Sequence, residues 1–156
     1  MGFVVKKEWF MRKVLFFVGL ILVLGFMGCS GGEITGDDVQ VARKIFNGLC
    51  KGEKNVERYI DWENLKAVGV DVGKTYSSIL SEKERSDYRN AFLYNFAYAF
   101  RASGGRIENF FNWRIHERQP DKNKTIVAAD VRSGRVILFT LISKNGKRNL
   151  AEINWQ

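Results

Sequence analysis

Residues 81–102 read SEKERSDYRNAFLYNFAYAFRA. Taken every second residue, Phe92, Tyr94, Phe96, Tyr98 and Phe100 alternate as a strand would. Taken at a period of 3.6, Tyr88, Phe92, Phe96, Ala99 and Phe100 form one broad apolar stripe. The helical reading wins on three grounds. Ser81 with Glu84 is a capping-box signature, alanines and arginines interleave the aromatics, and Ser103-Gly104-Gly105 supplies a stop. In that helix Tyr94 and Tyr98 fall on the side opposite the stripe, where they face water, a partner or a membrane.

The flanks complete the architecture. Upstream, Gly36-Asp37-Asp38 caps a first helix with Val39, Ala42, Ile45, Phe46 and Leu49 on one face, ended by Lys51-Gly52. Asn55 opens a short segment through Val56, Tyr59 and Ile60, and Asp61 reads as a cap. Gly69 and Gly73 mark a loop. Downstream, Arg106–His116 alternates, with Ile107, Phe111, Trp113 and Ile115 on the apolar face. Phe110 is the exception on its polar side. Residues 119–123 are a turn, Thr125–Val131 and Val136–Ser143 are strands about Ser133-Gly134, and Asn145-Gly146 is a hairpin signal before Leu150–Trp155. The expected fold class is α+β, with N-terminal helices packed on one face of a curved four-stranded antiparallel sheet.

Composition narrows the function. The chain has 156 residues, 25 Lys+Arg, 17 Asp+Glu, one His and two Cys. That is one domain with an appendage, not a disordered chain, a disulfide scaffold or a multi-His metal centre. Residues 6–13 are basic, Val14–Met27 is uncharged and apolar, and Gly28-Cys29-Ser30 follows. This layout resembles a bacterial lipoprotein signal: residues 1–28 are removed, Cys29 is lipidated and 29–36 form a flexible tether. Met11 offers a second start, and Phe26 stands where that family usually has Leu. An uncut anchor over Val14–Gly32 is the alternative. Both put residues 37–156, one α+β domain, in the cell envelope outside the cytoplasm, with the membrane as partner. Removing 1–28 leaves 21 bases, 16 acids and net charge +5 over 128 residues. The charges are scattered, so no nucleic acid partner is implied. Cys50 sits on the apolar side of the first helix as a small hydrophobe.

The first helix ending at Gly52-Glu53, the long aromatic helix and a sheet closing on Trp155 together resemble the NTF2-like group of cystatin-type folds. Val56–Asp61, Ser81–Phe100 with its Ser-x-x-x-Arg start (Ser81 to Arg85), and Ile153-Asn154-Trp155 are distantly similar to periplasmic phospholipid-binding proteins of the toluene-tolerance type. The resemblance implies a cone with an apolar pocket for a lipid or small molecule, lined by Trp62, Phe92, Phe96, Phe111, Trp113, Phe139 and Trp155. The plain alternative for each is a core aromatic.

No chemistry-bearing motif is complete. Gly69–Thr75 (GVDVGKT) comes near a phosphate-binding loop but has three residues between its glycines where four are needed, with no strand before it and Tyr76–Leu80 too short for the helix after it. His116, Asp61, Tyr59 and Asp130 are the residue types that an NTF2-like isomerase or dehydratase would use. His116 falls on a polar face, and Glu108, Glu117 and Asp130 lack metal-ligand spacing. There is no Gly-x-Ser-x-Gly elbow. The sequence therefore points to a non-catalytic, membrane-tethered binding module with no cofactor and no metal. The alternatives are an envelope protein-interaction lipoprotein using Tyr94 and Tyr98, and an isomerase-type enzyme.

Overall fold

The computed structural model describes residues 36–156. The signal segment, Cys29 and all but the last residue of the tether lie outside the described residues. Helix α1 (Asp38–Lys51) starts at Asp37, whose carboxylate accepts the Gln40 amide at 2.8 Å, and ends at Gly52 with φ 73°. A 3-10 segment (Lys54–Tyr59) follows. Next come β1 (Lys66–Ala67), β2 (Val70–Asp71), α2 (Val72–Ser78) and the long helix α3 (Glu82–Ala102). A short 3-10 turn (Ile107–Asn109) leads into β3 (Phe110–Gln119), β4 (Lys124–Val131), β5 (Val136–Lys144) and β6 (Lys147–Trp155).

The architecture is α+β, but two of the finer expectations are corrected. The sheet has six strands in the order β2-β1-β6-β5-β4-β3, and it is mixed, because β1 runs parallel to β6. The helices do not all precede the strands: β1, β2 and α2 stand in the stretch read as a loop. Val68 and Gly69, both at positive φ, turn β1 into β2, and Asp71 caps α2 through the Lys74 amide at 2.9 Å. A two-residue strand is too short to show periodicity, so only the glycines were audible in the sequence. The expected capping box at Ser81 also fails to form, since Ser81 makes no side-chain cap hydrogen bond.

β3 departs most from its reading. Its pairing to β4 slips twice, between Phe111 and Arg114 and between Ile115 and Glu117. At the first slip Asn112 takes φ 49°. Each bulge adds one residue to the strand, and a one-residue slip exchanges its two faces. Phe110 and Trp113 therefore both point to the core and Phe111 is turned outward, while Ile115, which pairs with buried Val127, is 37% exposed on the edge strand. The bulge is held by Asp130, which accepts from Asn112 at 2.7 Å and from Arg114 at 2.7 Å. A third irregularity lies in β6 opposite Thr140 and Leu141. Bulges sharpen local twist, and this sheet carries three such irregularities. The pair in β3 also blunts the open edge of the sheet.

The core lies between α1 and this sheet. Val41, Ile45, Phe46 and Leu49 meet Val127, Phe139, Leu141, Leu150 and Ile153, all buried. Phe46 is the hub, with ring centroids 4.7 Å from Phe110, 5.2 Å from Phe139, 5.9 Å from Trp113 and 6.0 Å from Phe100. One polar tie crosses the core edge. Asp38, nearly buried in the first turn of α1, accepts from Arg148 Nε at 2.6 Å and from Thr125 Oγ1 at 3.0 Å, which pins the helix to β6 and β4.

α3 is seated differently. Its Leu93 and Ala97 are buried on the side facing α1 and the first 3-10 segment. A Cβ on Gly52 would stand 3.3 Å from the Cβ of Ala97, so the two elements approach closely there. The aromatic stripe does not seal onto the sheet: Phe92, Phe96 and Phe100 are only half-buried.

Candidate functional site: an apolar groove

Between the stripe of α3 and the sheet runs an open groove of about 600 Å³. One wall is α3, through Tyr88, Ala91, Phe92, Phe96, Ala99 and Phe100. The other is Ala67, Val68 and Val70 of the β1–β2 hairpin, Val72 of α2, Ile137 of β5, and Ile153 and Trp155 of β6. Phe46 and Phe110 complete the lining. Asn95, Ser103 and the Tyr88 hydroxyl are the polar side-chain groups of this lining, and no carboxylate, imidazole, thiol or amine is part of it. Its volume lies within the ~300–1,000 Å³ of typical small-molecule sites.

Two features show that the groove is not simply a loosely packed core. Val68 and Val70 are 49% and 62% exposed, so the hairpin presents apolar side chains to the opening. Val68 also holds φ 51°, a left-handed conformation that costs a β-branched residue roughly 1–2 kcal/mol. Such strain gathers where a surrounding structure over-determines a residue, often beside a site.

Of the seven aromatics expected to line a pocket, Phe92, Phe96 and Trp155 do so. Trp62 sits behind the wall, 5.5 Å from the Phe92 ring, and donates from Nε1 to the Glu57 carbonyl at 2.8 Å. Phe139 is fully buried. Trp113 stacks on it at 5.1 Å. Phe111, turned outward by the bulge, joins Trp113 in a separate cleft of about 700 Å³ whose lining also includes Gln40, Arg43, Glu108 and Asn112. Sequence reasoning missed Phe46, Phe110, Val68, Val70, Ile137 and Ile153. Phe110 was audible as the aromatic that broke the polar face of its strand. Tyr94 and Tyr98 are 66% and 60% exposed on the far side of α3, with rings stacked at 6.4 Å.

The acid–base candidates are dispersed and engaged elsewhere. Asp61 is not a helix cap: it is buried, paired to Lys144 at 2.9 Å, and accepts from the Asn64 amide at 3.0 Å. Asp130 serves the bulge, where hydrogen bonds from Asn112 and Arg114 hold its carboxyl below the ordinary value. His116 is exposed on β3, and Tyr59 is buried. Burial pushes the Cys50 thiol up to about 12, which keeps it protonated and inert. Among the described residues no group of three or more His, Cys, Asp or Glu is placed to hold a metal, and no helix is long and apolar enough to cross a membrane.

The near-miss motif at 69–75 has a structural account. A strand, β1, does precede Gly69, and a helix, α2, does follow. Gly73, however, lies inside α2, where a Cβ would meet the Glu63 carbonyl oxygen at 2.3 Å. Its amide already donates to the Leu65 carbonyl at 2.9 Å, and the Asp71 carboxylate already occupies the Lys74 amide. These two donors are spent within the fold and are not free to cradle a phosphate.

No family model, curated protein or solved structure matches this chain.

Proposed function

We propose that this chain is a non-catalytic, membrane-tethered lipoprotein of the cell envelope, anchored through Cys29, whose groove binds an apolar ligand or lipid. The observation that carries this reading is the wall of α3. Three phenylalanines of one helix stand half-open over a continuous apolar lining. Leaving such surface wet costs about 25 cal/mol per Å², and a ligand recovers it. The resemblance to NTF2-like folds agrees, since helices over a bent sheet leave a hollow of this kind. A lipid tether would keep the opening near a membrane, from which an apolar ligand can be drawn.

The test is native mass spectrometry of the full chain taken from its own membranes, followed by organic extraction. A stoichiometric apolar molecule is expected on the wild type. Ala99→Trp, which fills the groove from an exposed helix position, should lose that molecule while keeping its fold by circular dichroism. A wild type that is free of any extractable molecule would overturn the reading.

A second reading rests on its own observation. The stacked, exposed Tyr94 and Tyr98 are the residue type that anchors protein interfaces, so an envelope protein partner at this face is the alternative. Photo-crosslinking from position 98 in cells, with one dominant protein adduct, would favour it.

A further inference from the structure

The two ends of the groove carry different charge. Near the start of α3, the helix's own bases are engaged. Lys83 pairs with Asp87 at 2.8 Å and Arg89 with Glu82 at 2.9 Å, while Arg85 donates to the Ile79 carbonyl at 2.9 Å. Glu84 and Asp71 stand at the same end. At the other end of α3, Phe100 and Ser103 line the groove, with the Phe110 ring 6.0 Å from that of Phe100, and two turns lie next in the chain to these lining residues. One is residues 103–109 after α3 and the other is residues 132–135 between β4 and β5. They are joined by the Arg132 amide, which donates to the Asn109 carbonyl at 3.0 Å. Asn109 in turn donates to the Arg106 carbonyl at 3.1 Å.

These joined turns carry Arg106, Arg132 and Arg135, all exposed, and Arg135 reaches the groove lining at Trp155. Among the described residues none of the three has a carboxylate partner. Glu108 is the one acid on the same turns, and Asp130 beside them is already neutralised by Arg114 at 2.7 Å. A net positive charge remains. Arg135 has a defined place: its Cζ lies 4.1 Å from the centroid of Trp155, a wall residue. A guanidinium lying over an indole keeps its N–H fork free, and that fork fits a carboxylate or phosphate in bidentate fashion.

Resting on the groove reading above, we propose that the ligand is an anionic amphiphile, with its apolar chain along α3 and its anionic head at Arg135, flanked by Arg132 and Arg106. Charge complementarity selects this occupant over a neutral chain or an apolar peptide. The lining offers only Asn95, Ser103 and the Tyr88 hydroxyl as polar side-chain groups, too few to satisfy the backbone of a buried peptide, whereas an alkyl chain asks for none.

The experiment uses the full chain in phosphatidylcholine vesicles and two photoactivatable probes, palmitic acid and the matching hexadecanol, at pH 8. Palmitate is expected to label peptides from 88–103 and 153–156. R132E/R135E should lower palmitate labelling by about tenfold or more, equivalent to about 1.4 kcal/mol. R132Q/R135Q should fall between, and hexadecanol labelling should be the same in all three proteins. K124E, at a base away from the groove, should behave as wild type. Added salt should weaken palmitate capture alone. Equal labelling by both probes, indifferent to the arginines, would overturn the head-group assignment and leave the groove standing. Labelling by neither probe would overturn both.

Discussion

α1 and α3 both carry apolar residues at helical spacing, yet they are used in opposite ways. Of the 14 residues of α1, eight are buried, including one carboxylate; of the 21 residues of α3, two are. α1 buries its apolar face against the sheet. α3 rests on α1 through Leu93 and Ala97, and its aromatic face stands off from the sheet. Since most helical stability comes from burying an apolar face, α1 is the stability element and α3 is a surface element with an apolar wall. An aromatic stripe at helical spacing thus has two fates, and burial by the sheet decides between them.

Truncating each helix at its central aromatic should expose that difference. Phe46→Ala removes the hub of the core and should cost about 3–5 kcal/mol by denaturant unfolding. Phe96→Ala, at a half-buried wall position, should cost only roughly 1 kcal/mol, below the ~1.5–3 kcal/mol of a fully buried side chain. It should nevertheless abolish ligand recovery from the purified chain. Similar stability losses in the two variants would erase the distinction. Next in size, Asp38→Ala removes charge-assisted hydrogen bonds that fasten α1 to Thr125 and Arg148, and should destabilise by about 2 kcal/mol.

Val68→Asn sharpens the contrast from the groove side. Asn tolerates the left-handed conformation that Val68 is held in, so the variant should be about 1 kcal/mol more stable and bind its ligand more weakly. A loss of stability would mean that Val68 is not strained. The smallest expected effect is at the bulge. Hydrogen bonds from Asn112 and then Arg114 hold the folded pKa of Asp130 below its unfolded value of about 3.9. Its contribution is therefore complete above that value and is lost as pH falls through the folded pKa. Asp130→Asn should flatten the thermal midpoint against pH below about pH 4 and leave its shape above that unchanged.

Much of this architecture was legible in the sequence. A cap and 3.6-residue periodicity placed α1, periodicity and the Ser103-Gly104-Gly105 stop placed α3, and alternation with Asn145-Gly146 placed the four long strands, because these signals are local. The remainder depends on distant partners. A bulge in β3 is invisible in an alternating sequence, and Asn112 at φ 49° reversed the faces of Phe110 and Phe111. β1 is a strand because β6 gives its two residues a parallel neighbour and β2 an antiparallel one. Asp38 read as a cap candidate beside Asp37, since Arg148 lies 110 residues away. For the groove, the helix stripe gave Tyr88, Phe92, Phe96, Ala99 and Phe100 of one wall without Ala91, and of these only Phe92 and Phe96 were expected to line a pocket. The opposite wall came from valines in a stretch that glycines marked as a loop, and from Ile137 and Ile153, whose strands were recognised but not their place beside α3.

The most direct measurement is hydrogen exchange by mass spectrometry on the full chain in phosphatidylcholine nanodiscs, with and without palmitic acid. Palmitate should slow the amides of residues 88–103 and leave those of 38–51 unchanged. Exchange of residues 88–103 that is the same in both samples would contradict the assignment of α3 as a ligand wall.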